Sequence, residues 1–173
     1  MEKFEYKGNV YYFSNGKFFD EYFIELSQAD KNEVSKFYYS QTDIKTLSEN
    51  KVCELIKSMK DSGSYFDAIN TINFAIEKFD NTTLIKNILP VLTSCYRSIG
   101  KPLEAIAVAK KYVAICPCGS SALFTSVAAA FCDVSDYEKA KKFANRAYAM
   151  SGPNNSSPEL MSVYSRIKAE SKS

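Results

Sequence analysis

Residues 100–109 read GKPLEAIAVA, residues 135–144 read SDYEKAKKFA, and residues 63–72 read GSYFDAINTI. Each stretch starts with a turn-forming or capping residue and continues with small and apolar residues at helical spacing. Ala105 lies 37 residues after Ala68, and Ala140 lies 35 residues after Ala105. A period near 34 residues with two helices per unit is typical of a solenoid, because a helical hairpin buries its apolar face only against its neighbour. The pattern predicts a mainly α fold, an α-solenoid of about three helix–turn–helix repeats.

Aromatic, turn, small and closing-proline positions recur in the second and third repeats. They are Tyr96, Gly100, Ala105 and Pro117 in one, and Phe131, Tyr137, Ala140, Ala147 and Pro153 in the other. This order resembles the tetratricopeptide repeat family over roughly residues 48–153. The match is degenerate, since Leu89 and Phe124 stand where the family favours Trp, and Thr93 and Ala128 where it has a helical Gly.

The resemblance implies a right-handed superhelix whose first helices line a concave groove that binds a protein or peptide. The partner-binding residues expected on this basis are Asn50, Lys57, Lys60, Asn87, Ser94, Arg97, Thr125 and Asp133, with Cys53, Asp61, Ser98, Ala122, Ala129 and Cys132 beside them. The carboxylate clamp of the family's best-known members is not reproduced, because Cys53, Lys57 and Asp61 have the wrong chemistry for it. Lys57, Lys60, Asn87 and Arg97 supply donors with few acidic residues expected nearby, which favours an acidic or carbonyl-rich extended segment. Arg97 is the best candidate anchor, because its planar guanidinium can pair bidentately.

Local signals define the helix ends in this region. Residues 135–138 form a possible capping box, and Pro90 falls inside a helix that begins near Thr83, where it should produce a kink. Ser157 and Pro158 open a last helix, expected to cap the repeats, with Leu160, Val163, Tyr164 and Ile167 on one face.

The N-terminal residues 1–26 are read as a three-stranded antiparallel β-meander rich in aromatic residues. Turns are expected at Gly8-Asn9 and at Asn15-Gly16, since both residues of such turns need positive φ. Two-residue loops at these sites pair Phe4 with Phe13 and Phe13 with Phe18. One face then carries Phe4, Tyr6, Tyr11, Phe13 and Phe18, and the other carries Glu5, Lys7, Val10, Tyr12 and Phe19. Because three strands are marginal alone, the aromatic face should pack on helices.

The remaining boundaries follow from these two regions. Residues 27–47 are expected to hold a helix from Ala29 to Tyr39, capped by Ser27, and a connector. Val34, Phe37 and Tyr38 should share one side of that helix. The repeat domain with its capping helix is expected over residues 48–171.

Composition narrows the function classes. The chain has 173 residues and a net charge of +2, with Lys and Glu interspersed, which argues against a nucleic-acid-binding protein. Its apolar runs are too short for a membrane span, and the N-terminus lacks the features of a signal peptide, so a cytoplasmic location is expected.

Catalytic and metal-binding residues are not expected. The chain contains no His, which removes the commonest general base and metal ligand, and no phosphate-binding glycine loop occurs. Cys116-Pro117-Cys118 could be redox-active or bind zinc, but Pro117 is already explained as a repeat-closing residue. The five cysteines are therefore read as free structural thiols, and no enzyme activity and no cofactor is expected.

Two hypotheses of function remain from sequence. The first is a non-catalytic adaptor that binds a protein or peptide in the concave groove. The second is an immunity, anti-defence or self-assembling inhibitory protein that uses the aromatic meander or the convex surface, and a homo-oligomer is possible. An exposed Phe/Tyr patch on the meander would favour the second hypothesis. Converging polar groups in a groove, without such a patch, would favour the first.

Overall fold

The fold of the chain is mainly α, a helical repeat architecture with a small antiparallel sheet at the N-terminus. It is described here from a computed structural model covering residues 1–79, 81–115, 119–152 and 156–170. The chain divides into two compact units, unit 1 over Met1–Asp80 and unit 2 over Asn81–Ser173. The predicted boundary at residue 48 falls inside unit 1, so the first predicted repeat belongs to the same compact unit as the sheet.

The elements of each unit follow the chain without crossover. Unit 1 contains β1 (Glu2–Tyr6), β2 (Asn9–Ser14), β3 (Lys17–Phe19), α1 (Gln28–Gln41), a 3-10 turn (Ile44–Thr46), α2 (Glu49–Asp61) and α3 (Tyr65–Phe79). Unit 2 contains α4 (Thr82–Ser98), α5 (Pro102–Ile115), α6 (Ser121–Asp133), α7 (Tyr137–Ser151) and α8 (Pro158–Glu170). Within the described ranges, six helices therefore follow residue 48 before the C-terminal helix, as the sequence predicted.

The two turns of the sheet differ in how well the sequence predicted them. The Asn15-Gly16 turn is confirmed, with φ of 51° and 78° and with Phe13 opposite Phe18. Gly16 is also constrained by packing, because a Cβ there would lie 3.3 Å from the Glu54 carbonyl oxygen of α2. The first turn was predicted wrongly.

The first turn uses Lys7-Gly8 rather than Gly8-Asn9, and both residues have positive φ. Phe4 consequently lies opposite Tyr11, not opposite Phe13. This turn is accompanied by two contacts of the Lys7 ammonium, which lies 3.0 Å from the Glu33 carboxylate of α1 and over the ring of its neighbour Tyr6. The register differs by two residues, and since side chains alternate with period two, the predicted membership of each face is unchanged.

The aromatic face of the sheet packs on α1, as predicted. Tyr38 is the centre of this contact, with its ring centroid 5.0 Å from that of Phe4, 4.7 Å from that of Phe13 and 5.5 Å from that of Phe18. Phe18 is completely buried. Ser27 caps α1 by accepting a hydrogen bond from the Asp30 amide, although the helix runs from Gln28 to Gln41 rather than over the predicted 29–39. The rings fill the space between sheet and helix and form the core of this part of unit 1.

The three helical hairpins turn by the same backbone motif. At the end of α2, the Ser64 amide donates to the Met59 carbonyl and the Gly63 amide to the Lys60 carbonyl. The corresponding pairs recur after α4 and α6, with Gly100 and Ser135 at the position of Gly63. All three residues have positive φ, which defines a Schellman ending. Ser135 is therefore not the predicted helix cap: Asp136 caps α7 by accepting from the Lys139 amide.

The anchor alanines lie five residues after each of these turns and are fully buried. Ala68, Ala105 and Ala140 have no exposed surface, and Ala144 and Ala147 continue the buried stripe of α7. In unit 2, α6 packs against α4, α5, α7 and α8. Small side chains allow helices to pack this closely, which explains why alanine recurs at the same position of each predicted repeat.

The remaining predictions about helix ends have mixed outcomes. α4 contains Pro90 inside its span, as expected, with Asn81 as its cap. Leu160, Val163 and Ile167 are buried on one face of α8, which confirms the predicted face. Cys116, Pro117, Cys118 and Pro153 lie outside the described residues. Among the described residues, no helix combines the length and apolar character of a membrane span.

Candidate partner-binding surfaces

Arg97, the expected anchor for a partner, is already engaged by two carboxylates. Its Nε lies 2.7 Å from an Asp133 oxygen, and one terminal nitrogen lies 2.9 Å from a Glu159 oxygen. Arg166 of α8 contacts the other Asp133 oxygen at 2.8 Å. The expectation that few acidic residues compete near Arg97 is therefore wrong. The physical reason is that α8 brings Glu159 and Arg166 to the ends of α4 and α6, a contact that the spacing of the repeats does not encode.

A small pocket lies beside this ion-pair network. It has a volume of about 270 Å³ and is lined by Ser94, Arg97, Ser98 and Asp133. The structure thus brings together Ser94, Arg97 and Asp133 of the predicted binding residues. Their charges are balanced internally, so an anionic group would have to displace Asp133 or Glu159 from Arg97.

The other predicted binding residues do not line this pocket. The prediction for Thr125 is wrong, because its side chain is buried and its hydroxyl donates a hydrogen bond to the Ser121 carbonyl within α6. Thr125 therefore does not line an accessible surface. Asn87 is exposed on α4. Asn50, Lys57 and Lys60 lie on α2 in unit 1, with Asn50 and Lys57 exposed and Lys60 partly buried.

A second surface, not predicted from sequence, follows β3. The strand stops at Phe19, and residues 20–24 form a closed loop before Glu25 pairs back with Phe19. One carboxylate oxygen of Asp20 accepts hydrogen bonds from the amides of Tyr22 and Ile24, each at 2.9 Å. The Asp20 amide also donates to the Ile24 carbonyl at 3.0 Å. The available signal was Asp20 itself, since Asp accepts from backbone amides a few residues ahead in tight turns.

This loop presents three large apolar side chains to solvent. The exposed fractions are 74% for Tyr22, 57% for Phe23 and 64% for Ile24. Phe23 has a φ of 61°, a left-handed conformation that costs a non-glycine residue roughly 1–3 kcal/mol and persists only where its surroundings impose it. The Phe23 ring stacks on Tyr12 of β2 with centroids 4.7 Å apart. We name Tyr12, Tyr22, Phe23 and Ile24 the aromatic tip.

The thiols of Cys53 and Cys132 are not activated as thiolates. Burial raises the pKa of the Cys53 and Cys132 thiols above the ordinary value, so both remain protonated near neutrality. Cys95 is buried. Over residues 1–79, 81–115, 119–152 and 156–170, no group of three His, Cys, Asp or Glu side chains is arranged to hold a metal ion.

Comparison of the chain with protein-family models and with curated proteins finds no match. The tetratricopeptide resemblance therefore stays a prediction from the residues, although the repeated helical hairpins it implied are present.

Proposed function

We propose that the protein is a non-catalytic binding module that recognises a protein partner through the aromatic tip. The observation that carries the proposal is the adjacent exposure of Tyr22, Phe23 and Ile24 on a loop closed by Asp20. Contiguous exposed apolar residues on a folded surface are characteristic of interaction sites, and tyrosine is enriched among residues that dominate binding energy. The proposal belongs with the second hypothesis, an immunity, anti-defence or other inhibitory protein acting by contact.

The loop suits binding because contacts within the chain stabilise its conformation. The Asp20 carboxylate and the Phe23–Tyr12 stack hold the tip before any partner arrives, so little conformational entropy is lost on association. Two exposed acidic residues, Glu21 and Glu25, flank the aromatic tip along the chain. The Glu25 carboxylate also pairs with the Lys17 ammonium at 2.6 Å. A partner with an apolar depression bordered by basic residues fits this surface best.

Site-specific photocrosslinking tests the proposal in the cells that produce the protein. A benzophenone amino acid at position 22 should capture one partner, whereas the same group at position 66 should not. Phe66 is a matched control, since it is 65% exposed and lies in the same unit on α3. Capture from position 66 but not from position 22 would contradict the proposal.

Affinity measurements with the captured partner then show which side chains contribute to the free energy of binding. Tyr22→Ala should weaken binding by about 1–3 kcal/mol if Tyr22 is a hot spot. Asp20→Ala should also weaken binding, because it removes the two hydrogen bonds that hold the loop closed.

A second candidate function is peptide binding on the helices, and the pocket at Ser94 and Arg97 favours it. Ser94→Tyr would fill this pocket without removing an ion pair, so it is a cleaner test than Arg97→Ala. Loss of binding for Ser94→Tyr with unchanged binding for Tyr22→Ala would favour the helical site.

A further inference from the structure

The two edges of the N-terminal sheet are not equivalent. The edge of β3 is covered by the returning chain, since Glu25 bridges to Phe19 and the Leu26 amide donates to the Phe18 carbonyl at 2.9 Å. β1 forms the opposite edge of the sheet, because the strand order is β1-β2-β3. No strand of the described residues pairs with the outer side of β1. An uncovered edge strand is a template for another strand.

The hairpin register decides which backbone groups of β1 are free to pair. A two-residue turn at Lys7-Gly8 makes Tyr6 and Asn9 a hydrogen-bonded pair, and the pattern repeats at every second residue. Phe4 therefore bonds to β2, whereas the amides and carbonyls of Lys3 and Glu5 point away from it. Both of these residues are exposed, and neither side chain forms an ion pair with any described residue.

The charges on this edge are self-complementary. If a second β1 lies antiparallel with Phe4 opposite Phe4, Lys3 of each copy lies directly opposite Glu5 of the other. The same alignment places the free backbone groups of Lys3 and Glu5 opposite one another as hydrogen-bonded pairs. Opposite charges on facing residues stabilise antiparallel pairs, and like charges destabilise them.

We propose that the β1 edge binds a second copy of this chain, forming a symmetric dimer with a continuous six-stranded antiparallel sheet. The alignment is fixed by the Lys3–Glu5 pairs, which occur twice in each dimer. Phe4 of each copy meets its equivalent on the face that packs on α1, where it already stacks on Tyr11. The inference does not depend on the proposed function, since Tyr22, Phe23 and Ile24 of the aromatic tip lie in the loop that follows β3, at the covered edge of the sheet; Tyr12 of the tip lies in β2.

Charge reversal tests the inference without disturbing the core, because both side chains are exposed. The full chain, tagged at the C-terminus to leave β1 unobstructed, is studied by sedimentation velocity over a range of concentrations. We expect the wild type to dimerise reversibly. Lys3→Glu and Glu5→Lys, tested singly, should each weaken dimerisation by at least tenfold, because each places like charges opposite one another at both pairs.

Two further samples separate pairing from a general charge effect. The double variant with Lys3→Glu and Glu5→Lys should dimerise like the wild type, and an equimolar mixture of the two single variants should form heterodimers. Lys141→Glu, on an exposed position of α7, is the matched control and should leave dimerisation unchanged. A wild type that stays monomeric at all concentrations, or a dimer insensitive to both single reversals, would overturn the proposal.

Discussion

The contact between the sheet and α1 in unit 1 is made by aromatic rings, whereas the α6–α7 hairpin of unit 2 combines rings with several fully buried alanines. In unit 1, the sheet meets α1 through the rings of Phe13, Phe18 and Tyr38. In unit 2, α6 and α7 pack with alanines at fully buried positions, including Ala128 and Ala144. A sheet and a helix leave a thick space that rings can fill, whereas helices in a hairpin approach closely only where side chains are small. The stability of the contact between the sheet and α1 should therefore be sensitive to loss of side-chain volume, and the alanine positions of α6 and α7 should be sensitive to gain of volume.

The largest expected effect is the loss of a ring from the core between the sheet and α1. Phe18→Ala should lower the free energy of unfolding by about 3–5 kcal/mol, because it leaves a cavity among four aromatic neighbours. Hydrogen exchange should increase in β1–β3 and α1 more than in α6 and α7. The control Phe66→Ala removes a mostly exposed ring and should change stability by no more than about 0.5 kcal/mol. Equal losses of stability for the two variants would show that a buried ring of this core contributes no more than an exposed ring.

The next effect is overpacking at the alanine positions of α6 and α7. Ala144→Leu should destabilise the protein by about 1–3 kcal/mol, because Ala144 has no free surface and the added carbon atoms must displace neighbouring groups. Ala149→Leu is matched to it, since Ala149 is exposed on the same helix. Chemical denaturation measures both, and a neutral Ala144→Leu would mean that α7 is less closely packed than its buried stripe indicates.

A smaller effect distinguishes two copies of the same turn. Gly100 and Ser135 occupy equivalent left-handed positions with φ of 73° and 59°. Gly100→Ala should cost about 1–2 kcal/mol. The added Cβ would meet nothing within 4 Å, so the cost is conformational. Ser135→Gly removes the strain of the left-handed conformation, but it also increases the conformational entropy of the unfolded chain. The gain in folding free energy from Ser135→Gly should therefore be smaller than the loss from Gly100→Ala.

The smallest expected effect is a loss of folding stability that appears only at alkaline pH. Burial raises the pKa of Tyr38 and Tyr39 above the ordinary tyrosine value. The folded protein therefore retains the phenolic protons longer than the unfolded chain, and their contribution to stability is complete below pH about 10 and declines as pH rises through the folded values. Tyr38→Phe should flatten this alkaline decline in urea midpoint. An unchanged slope would show that the phenol does not titrate on unfolding.

Sequence reasoning predicted local geometry well where a single residue type satisfies it. The Asn15-Gly16 turn, the anchor alanines and the buried face of α8 follow from positive φ, close packing and helical spacing. The Lys7-Gly8 turn was missed because a lysine is a poor candidate for positive φ, and the Glu33 contact that accompanies this turn forms only in the folded protein. The face assignment survived the error, since the shift was by an even number of residues.

The candidate site was harder to predict than the fold. Arg97 was expected to be available to a partner, but Asp133 and Glu159 pair with it. Asp133 lies one repeat period after Arg97, so the repeat could have indicated that pair, whereas no repeat spacing relates Arg97 to Glu159 of α8. The loop at residues 20–24 fell within the meander predicted over residues 1–26, and Tyr22, Phe23 and Ile24 are all residue types that favour strands. Side-chain hydrogen bonding by Asp20 outweighed that preference.

The burial of α6 constrains how this protein can evolve. Every residue from Leu123 to Cys132 is buried, so this part of the helix presents no face on which substitutions are neutral. A lineage acquiring a new partner could not adjust recognition there without losing stability. New specificity would have to arise on surfaces with spare variation, and the short loop after β3 offers it at little cost to the helices.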